Sequence, residues 1–85
     1  MTWQLRIASQ ARKALEEFPL RDQGYLAAAL EEMRNNPFGG DLIRLKNQAA
    51  TFRRRVGNYR ILFDAYPEAC ALHVVAIRRR ISTTY

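Results

Sequence analysis

One cysteine, Cys70, and one histidine, His73, are all that the 85-residue chain holds of the two side chains that most often bind transition metals. A lone thiol cannot close an intrachain disulfide, which suits a reducing compartment. Cys70 therefore reads as a small hydrophobe near a strand start. Asp41, Asp64 and Glu68 do not form a ligand cluster, so no metal is expected, and no cofactor either. No stretch approaches the roughly 20 apolar residues of a membrane span. The N-terminus also lacks the basic region and apolar run of an export signal. No repeat, low-complexity segment or linker interrupts the chain. A soluble cytoplasmic protein with no membrane contact, one domain over 1–85, is the expectation.

What is present is a core and a charge imbalance. Nearly half of the residues, 48%, are hydrophobic and nine are aromatic, enough for a compact fold without crosslinks. Residues 1–40 carry five basic and five acidic side chains, whereas residues 41–85 carry nine and three, so the net charge of +6 belongs to the second half. Solubility does not require such segregation; a field aimed at a polyanion produces it.

The chain reads in the order β-α-α-β-β-β. Trp3, Leu5 and Ile7 alternate with polar residues, the period of a half-buried strand over Met1 to Ala8. Ser9 is a fitting N-cap for a helix over Gln10 to Phe18, with Ala11, Ala14, Leu15 and Phe18 on one face, and Pro19 ends it. A second helix over Arg21 to Arg34 carries Leu26, Ala29, Leu30 and Met33 at helical spacing. The two read as an antiparallel helical hairpin. Asn35-Asn36-Pro37 stops the second helix, Phe38-Gly39-Gly40 reads as a flexible connection, and Leu42, Ile43 and Leu45 form a short apolar segment. Asn47 to Ala50 is polar and loop-like. Strands follow near Thr51–Val56, Tyr59–Tyr66 and Ala71–Ile77, with turns at Gly57-Asn58 and Pro67-Glu68 and an extended tail over Arg78 to Tyr85. The implied class is α+β: an antiparallel sheet with the helical hairpin packed on one face and the other face open.

Parity decides which side chains share the open face. Phe52, Val56, Ile61 and Phe63 suit the helix-covered side, which sends Arg53, Arg55 and Arg60 to the open one and Tyr59 to the core. Arg54 falls on the wrong side for a shared basic face unless it lies near a strand end. In the last strand, His73, Val75, Ile77 and Arg79 are expected on one side. The hairpin arginines, with Arg78, Arg79 and Arg80 one strand later, are expected to meet a phosphate-rich ligand, RNA foremost.

These residues resemble a known family. Asn36-Pro37, Gly40 and Leu45, then Phe52-Arg-Arg-Arg-Val-Gly-Asn-Tyr-Arg-Ile-Leu-Phe63, then Ala76-Ile-Arg-Arg-Arg80 and Tyr85, are similar to the RelE/ParE superfamily of bacterial toxins over nearly the whole chain. The resemblance implies the toxin of a type II toxin–antitoxin system: a ribosome-dependent endoribonuclease that cuts mRNA and is held inactive by a cognate antitoxin. It maps catalytic roles onto Arg53, Arg55, Arg60, Arg79 and the base-stacking Tyr85. Arg54, Arg78, Arg80, Arg44 and Lys46 complete the expected RNA-binding set. The best-known RelE toxins have lysines where this chain has Arg53 and Arg55. The alternative within the superfamily is a ParE-like toxin that binds DNA gyrase and leaves RNA uncut. Trp3 belongs either to the core strand or to the antitoxin groove.

Cleavage within RNA sends the 2′-hydroxyl against the adjacent phosphate. It needs a proton acceptor, stabilisation of a phosphorane and a proton donor to the leaving 5′-oxygen. Arginines meet the second need through paired contacts to phosphate oxygens. They meet the first poorly, because a guanidinium pKa above about 12 leaves almost no neutral form at pH 7. His73 lies roughly 20 Å from Arg79 along an extended strand, too far for one reaction centre. The proton acceptor is thus not evident from the sequence.

Overall fold

The computed structural model describes residues 2–46 and 50–80. Its elements run β1 (Gln4–Ile7), α1 (Ser9–Glu17), α2 (Leu20–Asn35), β2 (Asp41–Arg44), β3 (Phe52–Val56), β4 (Tyr59–Tyr66), a one-turn 3-10 helix (Pro67–Ala69) and β5 (Ala71–Arg79). The strands form one five-stranded sheet in the order β1-β5-β4-β3-β2. The α+β class and the early helical pair agree with the sequence expectation.

Two features of the sheet differ from it. Asp41–Arg44 is a strand in its own right, paired antiparallel with β3. Its own residues do not alternate, and all but Leu42 are exposed, so its strand character comes from the pairing rather than from a pattern. The sheet is also mixed, not purely antiparallel, because β1 pairs with β5 in parallel. Strand direction leaves no trace in local periodicity, so only the tertiary arrangement reveals it.

Helix α1 starts at Ser9, one residue before the expected start, with Ala8 as its N-cap and no side-chain cap bond. The Ala8 backbone supplies the order instead: its N–H donates to the Val74 carbonyl at 2.9 Å, and its own carbonyl accepts from Arg12 N–H at 3.0 Å. Phe18 and Pro19 then join α1 to α2, and the Gln23 amide nitrogen closes the corner on the Phe18 carbonyl at 2.8 Å.

The core lies between the helices and one face of the sheet. Ala11, Leu26, Ala29, Leu30 and Met33 meet Tyr59, Ile61, Phe63, Leu72, Val74 and Ile77. Each fully buried large side chain there contributes about 1.5–3 kcal/mol of transfer free energy. Trp3, Phe38, Phe52 and Phe63 extend it as a run of aromatic rings, with successive centroids 5.9, 5.6 and 5.5 Å apart. Trp3 is thus a core-side residue, and its backbone N–H donates to the Arg34 carbonyl at 2.7 Å.

Two glycines are fixed by geometry. Gly57 has φ +57 while Asn58 does not have positive φ, the pattern of a two-residue II′ hairpin with Gly first. Gly40 has φ +75, and a Cβ there would stand 2.9 Å from the Arg54 guanidinium carbon. The Gly39-Gly40 connection is therefore a packed approach to Arg54 as well as a link. Among the described residues no helix is long and apolar enough to cross a membrane.

Candidate functional site

The face of the sheet away from the helices carries a row of charge. Register places Asp41 opposite Arg55, Arg55 opposite Arg60 and Arg60 opposite Arg78, four side chains on four adjacent strands. Directly opposed side chains on neighbouring strands share a face, with Cβ atoms roughly 4.5–5.5 Å apart. Three guanidinium groups in one row repel one another, and like charges so opposed are destabilising. Fold stability alone does not account for the arrangement.

The next row along reads Ile43, Arg53, Leu62 and Ala76. Arg53, Arg60 and Arg78, with Leu45 and Leu62, enclose a hollow of about 200 Å³. The Arg53 Nε is buried and has no hydrogen-bond partner. The three guanidinium groups that line the hollow favour an anion there. Parity thus holds for Arg53, Arg55 and Arg60.

It fails for the C-terminal run, and the cause is a bulge. Leu62 faces Ala76 while Phe63 faces Val74, so Val75 is an extra residue in β5. One inserted residue exchanges the faces of everything beyond it. His73 stays on the open face, but Ile77 is 3% exposed in the core, and Arg78 rather than Arg79 joins Arg60. Arg79 pairs instead with Tyr59, its guanidinium carbon 6.0 Å from the ring centroid on the helix side. The expectation that His73, Val75, Ile77 and Arg79 share a side is corrected accordingly.

Arg54 is corrected too. It is 8% exposed, lies on the helix side opposite Leu42 and Ile61, and donates from Nη2 to Glu32 Oε1 at 2.6 Å. It is part of the interior, on the side of the sheet away from Arg53, Arg55 and Arg60. Arg44 lies opposite Phe52, on the same side as Arg54, away from the row. Lys46 and Arg80 are exposed, and Arg80 N–H donates to the Asn58 carbonyl just past the end of β5. Tyr85 lies outside the described residues, as does the Asn47 to Ala49 part of the polar loop.

Tyr59 is a core residue, 5% exposed, packed against Phe18 with centroids 4.7 Å apart. Its hydroxyl donates to the Asp22 carboxylate at 2.5 Å. That hydrogen bond, then burial, then the negative charge of Asp22, raise the phenol pKa above its ordinary value of 10.0, with Arg79 opposing. His73 lies opposite Asp64 and Arg6, four positions along β4 from Arg60 and so roughly 13 Å off. It stands apart from the arginine row. Asp41 is the residue that sequence reasoning missed: among the described strand residues it is the carboxylate in the row itself. The signal was hidden because β2 does not read as a strand, so no parity was assigned to Asp41.

No protein-family model matches the chain, and no curated protein matches it significantly. Solved structures do. The chain is similar to an archaeal RelE–RelB complex from Pyrococcus horikoshii, at 20% identity and TM-score 0.84, over 98% of this chain and 100% of that one. It is similar to a RelBE toxin–antitoxin complex from Mycobacterium tuberculosis, at 23% identity and TM-score 0.82, over 94% and 100%. The isolated Escherichia coli RelE toxin matches at 14% identity and TM-score 0.79, over 95% and 87%. The fold is that of RelE.

Proposed function

We propose, with that fold as the premise, that the protein is the toxin of a type II toxin–antitoxin pair and acts in the cytoplasm as a ribosome-dependent endoribonuclease on mRNA. The observation that carries the reading is the row Arg55, Arg60 and Arg78 with Arg53 in the row beside it, a set of like charges that costs stability and that a phosphate would offset. The RelE fold seen in complexes with RelB supports an antitoxin as partner.

In the reaction the 2′-oxygen attacks the adjacent phosphorus, its proton passes to a base, the bond from phosphorus to the 5′-oxygen breaks, and that oxygen takes a proton from water. A 2′,3′-cyclic phosphate and a 5′-hydroxyl result. Arg53, Arg55 and Arg60 hold the phosphate and stabilise the extra charge of the phosphorane, and Arg78 takes the place that the family resemblance gives to Arg79. Asp41, beside Arg55, is the proton acceptor we assign in place of the family's lysines. Tyr85 keeps its proposed role as a stacking residue at the C-terminus.

Primer extension on a message translated in vitro tests the reading. Breaks at codon positions are expected, weakened roughly 100-fold or more in Arg60→Ala and Arg78→Ala, the loss typical of removing one charge-stabilising donor. Arg79→Ala is expected to cut nearly as the wild type does. An intact message together with gyrase-dependent DNA breaks refutes the ribonuclease in favour of the ParE-like alternative. The RelE fold of the neighbours and the arginine row favour RNA.

A further inference from the structure

The arginine row occupies only one end of the open face. At the other end, register assembles two further rows: Asp64, His73 and Arg6, then Tyr66, Ala71 and Gln4. Gln4, Arg6, Tyr66, Ala71 and His73 line a hollow of about 410 Å³, twice the size of the one among the arginines. That volume falls in the range of small-ligand sites, roughly 300–1,000 Å³.

The composition of the hollow is specific. Ala71 leaves a low floor between two taller side chains, Tyr66 on one strand and Gln4 on the other. Tyr66 is a large aromatic side chain left 44% exposed at a strand end, where burial would have been the default. A flat aromatic wall, a neutral amide carrying both donor and acceptor, and an exposed guanidinium match the three parts of a nucleotide. The base stacks on the ring, its edge meets the amide, and its phosphate meets the cation. The carboxylate in the adjoining row is already engaged, since Asp64 Oδ1 accepts from both Thr51 N–H and Thr51 Oγ1, each at 2.7 Å.

We propose that Gln4, Arg6, Tyr66, Ala71 and His73 form a second subsite that binds one nucleotide of single-stranded RNA whose phosphates run on to the arginine row. The proposal rests on the reading of the open face as an RNA surface. Tyr66 is six positions along β4 from Arg60, roughly 20 Å on the strand, so the RNA must be several nucleotides long to engage both ends. Affinity therefore rises steeply once an oligonucleotide spans the two sites, as it does for two linked binding events.

The test is fluorescence anisotropy with uncleavable 2′-O-methyl oligonucleotides of graded length, using the intact protein. For the long oligomers, Tyr66→Ala and Tyr66→Leu are expected to weaken binding roughly tenfold, the loss of one base–aromatic stack, and Tyr66→Phe to keep it. Arg6→Gln is expected to lower the slope of log affinity against log salt by about 0.7, the value for one phosphate contact on a single strand. Oligomers too short to span the face should not respond to either position. Tyr66 and Arg6 are exposed, so thermal melts of these variants should match the wild type. Long-oligomer affinity that survives Tyr66→Ala and Arg6→Gln but collapses in Arg60→Ala overturns the subsite and leaves the RNA face standing. No binding by the wild type overturns both.

Discussion

Replacing Arg54 separates the interior of this protein from its working face. The guanidinium is held by Glu32, but the two side chains differ sharply in exposure, 9% for Arg54 and 69% for Glu32. Water around the carboxylate screens the pair, so the bridge itself is worth about 1 kcal/mol or less. The larger contribution is the aliphatic stem of Arg54, packed beneath α2. Arg54→Ala removes that stem and leaves a void, a change that costs about 2–4 kcal/mol in comparable sites. For a domain of this size each kcal/mol shifts the melting temperature by roughly 4–8 °C, so a fall of about 8–32 °C is expected. Arg54→Met keeps the volume and removes the charge, and should cost less than about 1.5 kcal/mol. Glu32→Gln should cost no more than the bridge. Thermal melts followed by circular dichroism give the order: Arg54→Ala far below Arg54→Met, with Arg54→Met close to Glu32→Gln. The salt dependence of RNA binding by Arg54→Met should equal that of the wild type, because no phosphate contact has been lost. Equal damage in the Met and Ala variants would show that the charge, not the stem, does the holding. Lost RNA binding at an unchanged melting temperature would return Arg54 to the open face.

Further outcomes follow from other contacts. Tyr59 has a folded pKa above its unfolded value near 10, so its contribution to stability is complete below pH 10 and is lost as pH rises through the folded value. Alkaline melts should show the wild type losing stability above pH 10, and Tyr59→Phe, less stable at neutral pH, should show a shallower decline there; equal slopes would contradict the Asp22 hydrogen bond. Gly40→Ala forces a side chain into φ +75 and against Arg54, so urea denaturation should show a loss of about 1–2 kcal/mol, and a neutral result would deny the close approach. Asp41→Asn should bind RNA at least as tightly as the wild type yet cut it at least 100-fold more slowly; unimpaired cutting removes Asp41 as the proton acceptor.

Local pattern carried far through this fold. The Phe52–Phe63 hairpin, the burial of Tyr59 and the helix faces of Leu26, Ala29, Leu30 and Met33 all follow from periodicities that the residues themselves display. So does the common face of Arg53, Arg55 and Arg60. What stayed hidden depends on pairing. Val75 looks like any other β-branched strand residue, yet as the bulge it decides whether Arg78 or Arg79 reaches the row. Arg54 broke the parity rule because an arginine can be buried when a partner such as Glu32 waits on another element, and the sequence separates the two by a helix end and a strand. The edge strand β2, with Asp41 on it, shows no alternation because an edge with little buried surface needs none.

The parallel pairing of β1 with β5 has a consequence for how the molecule comes into being. Strand β1 must wait for β5 before it finds its hydrogen-bonding neighbour, and the helices wait for Leu72 and Val74 to complete their core. Contacts so distant along the chain make folding slow. The arginine row is completed by the same strand, through Arg78. The cations thus stay unassembled until β5 docks, and the basic row forms only together with the completed core.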